Sequence, residues 1–322
     1  MKLHSILTEG VLPQFFFDIG RLARFSDDAQ LRHVREYIDE QVRLLQAYGE
    51  DPTKRTISGH VKIGFHNHFP KKEGWYDWDR KMFNPDRISE FAQAAHSQGF
   101  DVVSVTNYDD DTLFGNGPGI KFDFKGESVI VLRSQECLEF FDVQPIGFSG
   151  RLDKRNLETV IDSALGHGGI VLFSHPANMA YGGAGEDNIA RYNTKVIIET
   201  QNALANSPWF FRFADIVSKL WSIKYSVPGV SGIDSHQLYM PGGFFVPRDL
   251  IDMNSPQSVM QCLVRLFARR REELLTRSSL SSQIILNTED YPDFLTVMKL
   301  EGIPQISTSI RYGSRKYFGL RI

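Results

Sequence analysis

Cysteine is scarce in this chain. Cys137 and Cys262 are the only two among 322 residues, which excludes a disulfide framework and a cysteine-rich zinc module. Long hydrophobic runs are missing too: none approaches the roughly 20 residues that cross a bilayer. The opening MKLHSILTEGVLPQFFFDIG is interrupted by Glu9, Gly10 and Pro13 and lacks an A-x-A-like cleavage site, so no signal peptide is expected. Nor is there an excess of charge of one sign. With 36 Lys and Arg against 39 Asp and Glu, the net charge is −3, which gives no basic field for wholesale binding to nucleic acid or an acidic membrane. Internal repeats and low-complexity segments are absent. The expectation is a soluble, cytoplasmic protein.

What is present is ordinary globular usage, 42% hydrophobic and 23% charged, in a length that suits about two average domains or one large α/β domain with an appendage. Residues 14–58 carry Phe15, Phe16, Ile19, Leu22 and Phe25, then Leu31, Val34, Ile38, Val42 and Leu45, at helical spacing. Gly49 and Pro52 close the pattern. Residues 1–58 are therefore read as an N-terminal helical extension. From 59 to 275, short apolar runs alternate with amphipathic ones. Strands are expected at 61–65, 101–106, 128–134, 143–148, 169–174, 195–200 and 229–233, with helices at 85–98, 154–166, 208–223 and 255–274. This alternation predicts a mainly parallel α/β architecture, either a barrel or an open doubly wound sheet. Residues 276–322 are expected to form a C-terminal segment packed on that domain, with a strand-like run at 283–287 and a basic aromatic end.

The placement of polar residues is the informative feature. VKIGF runs into His66-Asn67-His68, SVIVLRS into Gln135-Glu136, GIVLFS into His175-Pro176, and GVSGI into Asp234-Ser235-His236. In parallel α/β folds the C-terminal strand ends converge at the mouth of the site. His66 and His68, two apart on an extended segment, project to one side and can chelate one ion. Asp234 and His236 repeat that spacing with an oxygen ligand, and Glu136 can bridge two ions with its two oxygens. Mixed nitrogen and oxygen ligation suits Zn, Mn or Fe. Glu199 and Asn202 are candidates for lining the pocket without binding metal. His4, His33, His60, His96 and His167 are read as structural or solvated, and Cys137 as a buried cysteine.

Taken together, HNHF (66–69), AAHSQGFDVVSVTNYDD (94–110), SQE (134–136), FSHP (173–176), IIETQN (197–202) and SGIDSH (231–236) resemble the PHP family of polymerase and histidinol phosphatase domains, over about residues 60–270. The resemblance implies a distorted (β/α)7 barrel of PHP type, up to three metals and, in many members, phosphate ester hydrolysis. It implies His66, His68, Glu136 and Asp234 as ligands of a first metal. A second would share Glu136 and add His175, with Gln144 where a histidine is usual. The histidine of the T-D-H motif is replaced by Tyr108, which leaves His236 without its usual partner. The chain thus looks like a variant with one or two divalent ions.

The function this implies is metal-dependent hydrolysis, foremost of the phosphate ester of a small molecule, by a metal-activated water. His236 would protonate the leaving alcohol, and Tyr108 would donate a hydrogen bond to the substrate. Lys71, Lys72, Gln144 and Arg248 are candidates for holding it. Two other readings stay open: a hydrolase of a non-phosphate bond, or a degenerate PHP domain that binds without catalysis. Nucleic acid is not indicated as a partner, no membrane is expected, and the oligomeric state is open.

Overall fold

The structure, a computed structural model, describes residues 56–68, 85–107, 114–178, 183–202, 212–235, 238–276 and 285–287. All of them belong to the compact unit Leu44–Ile322. The expected N-terminal helices fall outside the described residues, as does all of the C-terminal segment beyond Asn287.

Seven strands close into a barrel. They are β1 (His60–His68), β2 (Val102–Asn107), β4 (Glu127–Gln135), β5 (Val143–Ile146), β6 (Ile170–Phe173), β7 (Ile197–Asn202) and β8 (Gly229–Ser235), paired in that order, with β8 returning to β1. This is the distorted α/β barrel expected from the sequence. The pairs are parallel except at β5, which runs antiparallel to both β4 and β6. β5 therefore begins at the rim where the other barrel strands end. β3 (Gly119–Phe124) lies antiparallel on β4. β9 (Phe244–Pro247) lies antiparallel along the first half of β1 and is followed outward by β10 (Leu286–Asn287).

The burial pattern explains the closure. One cluster joins Val61, Ile63 and Phe65 of β1 with Val102, Ile130, Leu132, Ile146, Ile170, Leu172, Ile197 and Val230, alternate residues from every barrel strand. These fill the lumen, and Val259, Met260, Leu263 and Phe267 of α5 (Pro256–Thr276) join the same cluster. The intervening residues face outward. Val103, Val105, Val129 and Val131 pack on Ile88, Phe91, Ala92 and Ala95 of α1 (Pro85–Ser97). Val143, Val171, Phe173 and Ile198 pack on α2 (Leu157–Gly166) and on Ile189 of α3 (Gly185–Tyr192). Each fully buried aliphatic side chain contributes roughly 1.5–3 kcal/mol, so strands buried on both faces read as the continuous apolar runs seen in the sequence. α2 starts at Asn156, whose Oδ1 accepts from Thr159 N at 2.9 Å while Thr159 Oγ1 accepts from Asn156 N at 3.1 Å, a reciprocal cap. α4 (Arg212–Tyr225) lies against β7.

Three elements were not anticipated. β3 and β9 are short and antiparallel, and α3 buries only Ile189 and Tyr192, too few to set a period. Near the rim the lumen changes character: Ser104, Thr106, Ser134, Glu136, Gln144, Ser174 and Glu199 are buried there in place of aliphatic residues. Among the described residues no helix is long and apolar enough to cross a membrane.

Candidate metal centre

The H-x-H pair reaches the lumen through a fault in β1. Val61, Ile63 and Phe65 already occupy the lumen face, so strict alternation would turn residues 66 and 68 outward. The register against β2 slips between Gly64 and Asn67, and against β8 between Phe65 and Asn67. His66 sits at the slip with φ of 59°, and this bulge turns both imidazoles inward. The backbone N–H that the bulge frees donates to Ser104 Oγ at 3.1 Å. Asn67 Nδ2 donates to the Gly64 and Ser104 carbonyls, each at 3.2 Å, and so secures the distorted stretch to β2.

Four side chains then meet. His66 Nε2 lies 3.3 Å from His68 Nε2, 3.5 Å from Glu136 Oε1 and 3.4 Å from Asp234 Oδ1. His68 Nε2 lies 3.2 Å from Asp234 Oδ1 and 3.7 Å from Glu136 Oε2. For metal–ligand bonds of about 2.0–2.1 Å, the edge of a tetrahedron is about 3.3 Å. Two imidazole nitrogens facing one another at that distance, with carboxylate oxygens 3.2–3.7 Å from them, form a group that could hold a divalent ion.

Glu199 completes the arrangement from beneath. Its Oε1 accepts from His66 Nδ1 at 3.0 Å, so the proton resides on Nδ1 and Nε2 is left as a donor to metal. Its Oε2 accepts from the His175 backbone N–H and, at 3.1 Å, from Asn202 Nδ2, which also donates to Asp234 Oδ2 at 3.2 Å. A Cβ at Gly232 would collide with the Glu199 carboxylate, so glycine at that point of β8 makes room for it.

The electrostatics favour a cation. Burial lowers the affinity of His66 for a proton, but the carboxylates of Asp234, Glu199 and Glu136 outweigh it and hold its pKa well above the usual histidine value. Burial raises the Glu136 carboxyl, yet the imidazoles of His68, His66 and His175 outweigh that and keep it below the usual range. His175 is pushed down by burial and by His66, against the pull of the nearby carboxylates. Without a metal, a proton on His66 supplies part of the positive charge the cluster needs.

A further group of ligand atoms adjoins the first. His175 approaches His66 and Asp234, and Glu136, Asp142 and His175 bring one ligand atom each within 4.8 Å of one another. His66, His175 and Asp234 all take left-handed backbone, with φ of 59°, 31° and 56°. That conformation costs on the order of 1–3 kcal/mol per non-glycine residue and collects at functional sites.

His66, His68, Glu136, His175 and Asp234 are thus brought together. Gln144 is also at this rim: the pairings Ser134–Ile146 and Cys137–Val143 set it opposite Glu136 on the lumen face. Tyr108, His236, Lys71 and Lys72 lie outside the described residues. Arg248 is not at the site. Its Nη2 donates to Asp101 Oδ1 at 2.8 Å and to the His60 carbonyl at 3.3 Å, at the opposite end of β1 from His66 and His68, because β9 runs antiparallel to β1 and ends beside its start. Asp142 was missed for the mirror-image reason: it precedes β5, the reversed strand, so a strand start lies at the rim.

No family model and no curated protein matches the chain. Among solved structures it is similar to a two-domain protein from Bacteroides vulgatus ATCC 8482 described as containing a predicted PHP-like metal-dependent phosphoesterase, with 15% identity and a TM-score of 0.42. The match spans 66% of this chain and 63% of that one.

Proposed function

We propose that the protein is a metal-dependent hydrolase of PHP type that cleaves the phosphate ester of a small molecule to an alcohol and inorganic phosphate. One observation carries this reading: at the barrel rim His66 Nε2 and His68 Nε2 stand 3.3 Å apart, and the carboxylates of Glu136 and Asp234 each approach both of them at 3.2–3.7 Å, near the spacing of a tetrahedral edge. A divalent ion there would lower the pKa of a bound water from about 15.7 towards about 7 and steady the charge that develops on a phosphoryl oxygen.

The chain's own groups would do the rest. Glu199 fixes the His66 tautomer, and Asn202 holds Glu199 and Asp234 together. Gln144 offers an amide to a substrate oxygen. His236, two positions beyond Asp234, is proposed as proton donor to the leaving alcohol, Tyr108 as a hydrogen-bond donor, and Lys71 and Lys72 as phosphate contacts.

The test is metal content by mass spectrometry on chelator-free protein, followed by a panel of phosphate monoesters, amides and lactones. Bound Zn, Mn or Fe with phosphate release that is lost in His66→Ala and Asp234→Ala is the expected result. Metal-dependent turnover of amides or lactones alone would replace the phosphoesterase reading. Full activity in either variant, or no bound metal after Mn and Zn are added back, would overturn the proposed centre.

A further inference from the structure

We infer that Asp142 supplies the carboxylate of a second divalent cation site, which shares Glu136 with the first and takes His175 as its nitrogen ligand. The inference rests on the proposed metal centre and adds a carboxylate ligand to it. Where the PHP resemblance places a second histidine, this chain has Gln144, a neutral and weak ligand. Two residues earlier, at the start of the reversed strand, Asp142 is 3% exposed and presents an oxygen within 4.8 Å of ligand atoms of both Glu136 and His175. Asp142 itself has φ of 53° and follows Phe141 at 62°, so the chain enters β5 through two left-handed residues.

An independent observation points to an occupant. Gln144 is fully buried, and neither its Oε1 nor its Nε2 meets a hydrogen-bond partner among the described residues. The strand register sets it beside Glu136 on the lumen face. Ser174 Oγ and Ser134 Oγ, also buried, lack partners among the described residues as well. Buried polar atoms left in this state call for water, an ion or a ligand between them.

Charge gives the same answer. Glu136, Asp142, Glu199 and Asp234 gather around histidines that are neutral when they ligate metal, a setting that attracts cations. A phosphate dianion would be repelled at that rim. A second divalent ion offsets more of that negative charge and helps to hold the phosphate's own.

The experiment is a Mn2+ titration of the chelator-treated full chain, with stoichiometry by mass spectrometry and electron paramagnetic resonance as the spectroscopic readout. Wild type is expected to bind two ions with an exchange-coupled signal, because one carboxylate bridges them. Asp142→Asn is expected to bind one, with the six-line signal of isolated Mn2+, and adding Gln144→His to it is expected to restore the second. Two coupled ions in Asp142→Asn would overturn the role of Asp142. One isolated ion in wild type would overturn the second site and leave the first standing, whereas none in wild type would overturn the proposed metal centre itself. If Asp142→Asn does not fold, Asp142→Gly, which suits the left-handed backbone at that position, takes its place: one isolated ion supports the role of Asp142 and a coupled pair overturns it.

Discussion

Glu199 accepts a hydrogen bond from His66 Nδ1 at 3.0 Å, and that single contact decides which nitrogen of the imidazole faces His68, Glu136 and Asp234. The carboxylate is suited to this because both oxygens are committed, Oε1 to the ring and Oε2 to the His175 backbone and Asn202 amide donors. Glu199→Gln would set an NH2 group against one of those donors whichever way the amide turned. First-site affinity is expected to fall about 10- to 100-fold, the usual cost of losing such an orienting partner. Competition with a chromophoric chelator measures it, and unchanged affinity would show that His66 is oriented by other contacts.

Gly232 tests the same carboxylate sterically. Gly232→Ala sets a methyl group into the position of Glu199 Oε1, and a forced displacement of packed groups costs typically about 1–3 kcal/mol. Denaturant melts should show that loss, together with weaker metal binding. The control is Gly166→Ala at the end of α2, where a Cβ meets nothing within 4 Å; alanine there is expected to be neutral or to stabilise by up to about 1 kcal/mol. Equal effects at the two positions would contradict the packing described for Glu199.

His66, His68, Glu136, His175 and Asp234 were legible because each ends an apolar run, and a run feeding a polar residue marks the rim of a parallel barrel. The direction of a strand is not written in its residues. VQPIGF reads like any other strand yet is reversed, which hid Asp142, and FFVP, not anticipated as a strand at all, runs antiparallel to β1 and carries Arg248 away from the mouth. The bulge in β1 was equally invisible: equal spacing suggested a regular strand, whereas the lumen face belongs to Val61, Ile63 and Phe65 until the backbone slips. Glu199 stood as a possible pocket residue, but only its contact with His66 Nδ1 identifies what it does.

Metal removal should destabilise the protein. Ions that bind only the folded chain stabilise it by about 4 kcal/mol at a thousandfold excess over Kd, and stripping them also leaves the buried carboxylates to repel one another. Chelator-treated protein is therefore expected to melt at a lower temperature, with recovery on adding Mn2+ or Zn2+ in a concentration-dependent way. A melting temperature that ignores both chelator and metal would show that the folded state binds no ion at this rim.

Gln144 separates stability from function. Its carboxamide is buried without a hydrogen-bond partner among the described residues, and an unmade buried hydrogen bond costs about 1–3 kcal/mol. Gln144→Met keeps the length of the side chain and removes both polar groups, so the metal-free variant should be more stable than wild type by about that amount. The amide is retained, on this argument, because something bound at the rim uses it, and turnover of the phosphate ester should fall in the same variant. A variant that gains no stability would show that the amide is already satisfied in the resting protein, for instance by trapped water. A gain in stability with full activity would remove Gln144 from the site and leave its burial as a cost with no return.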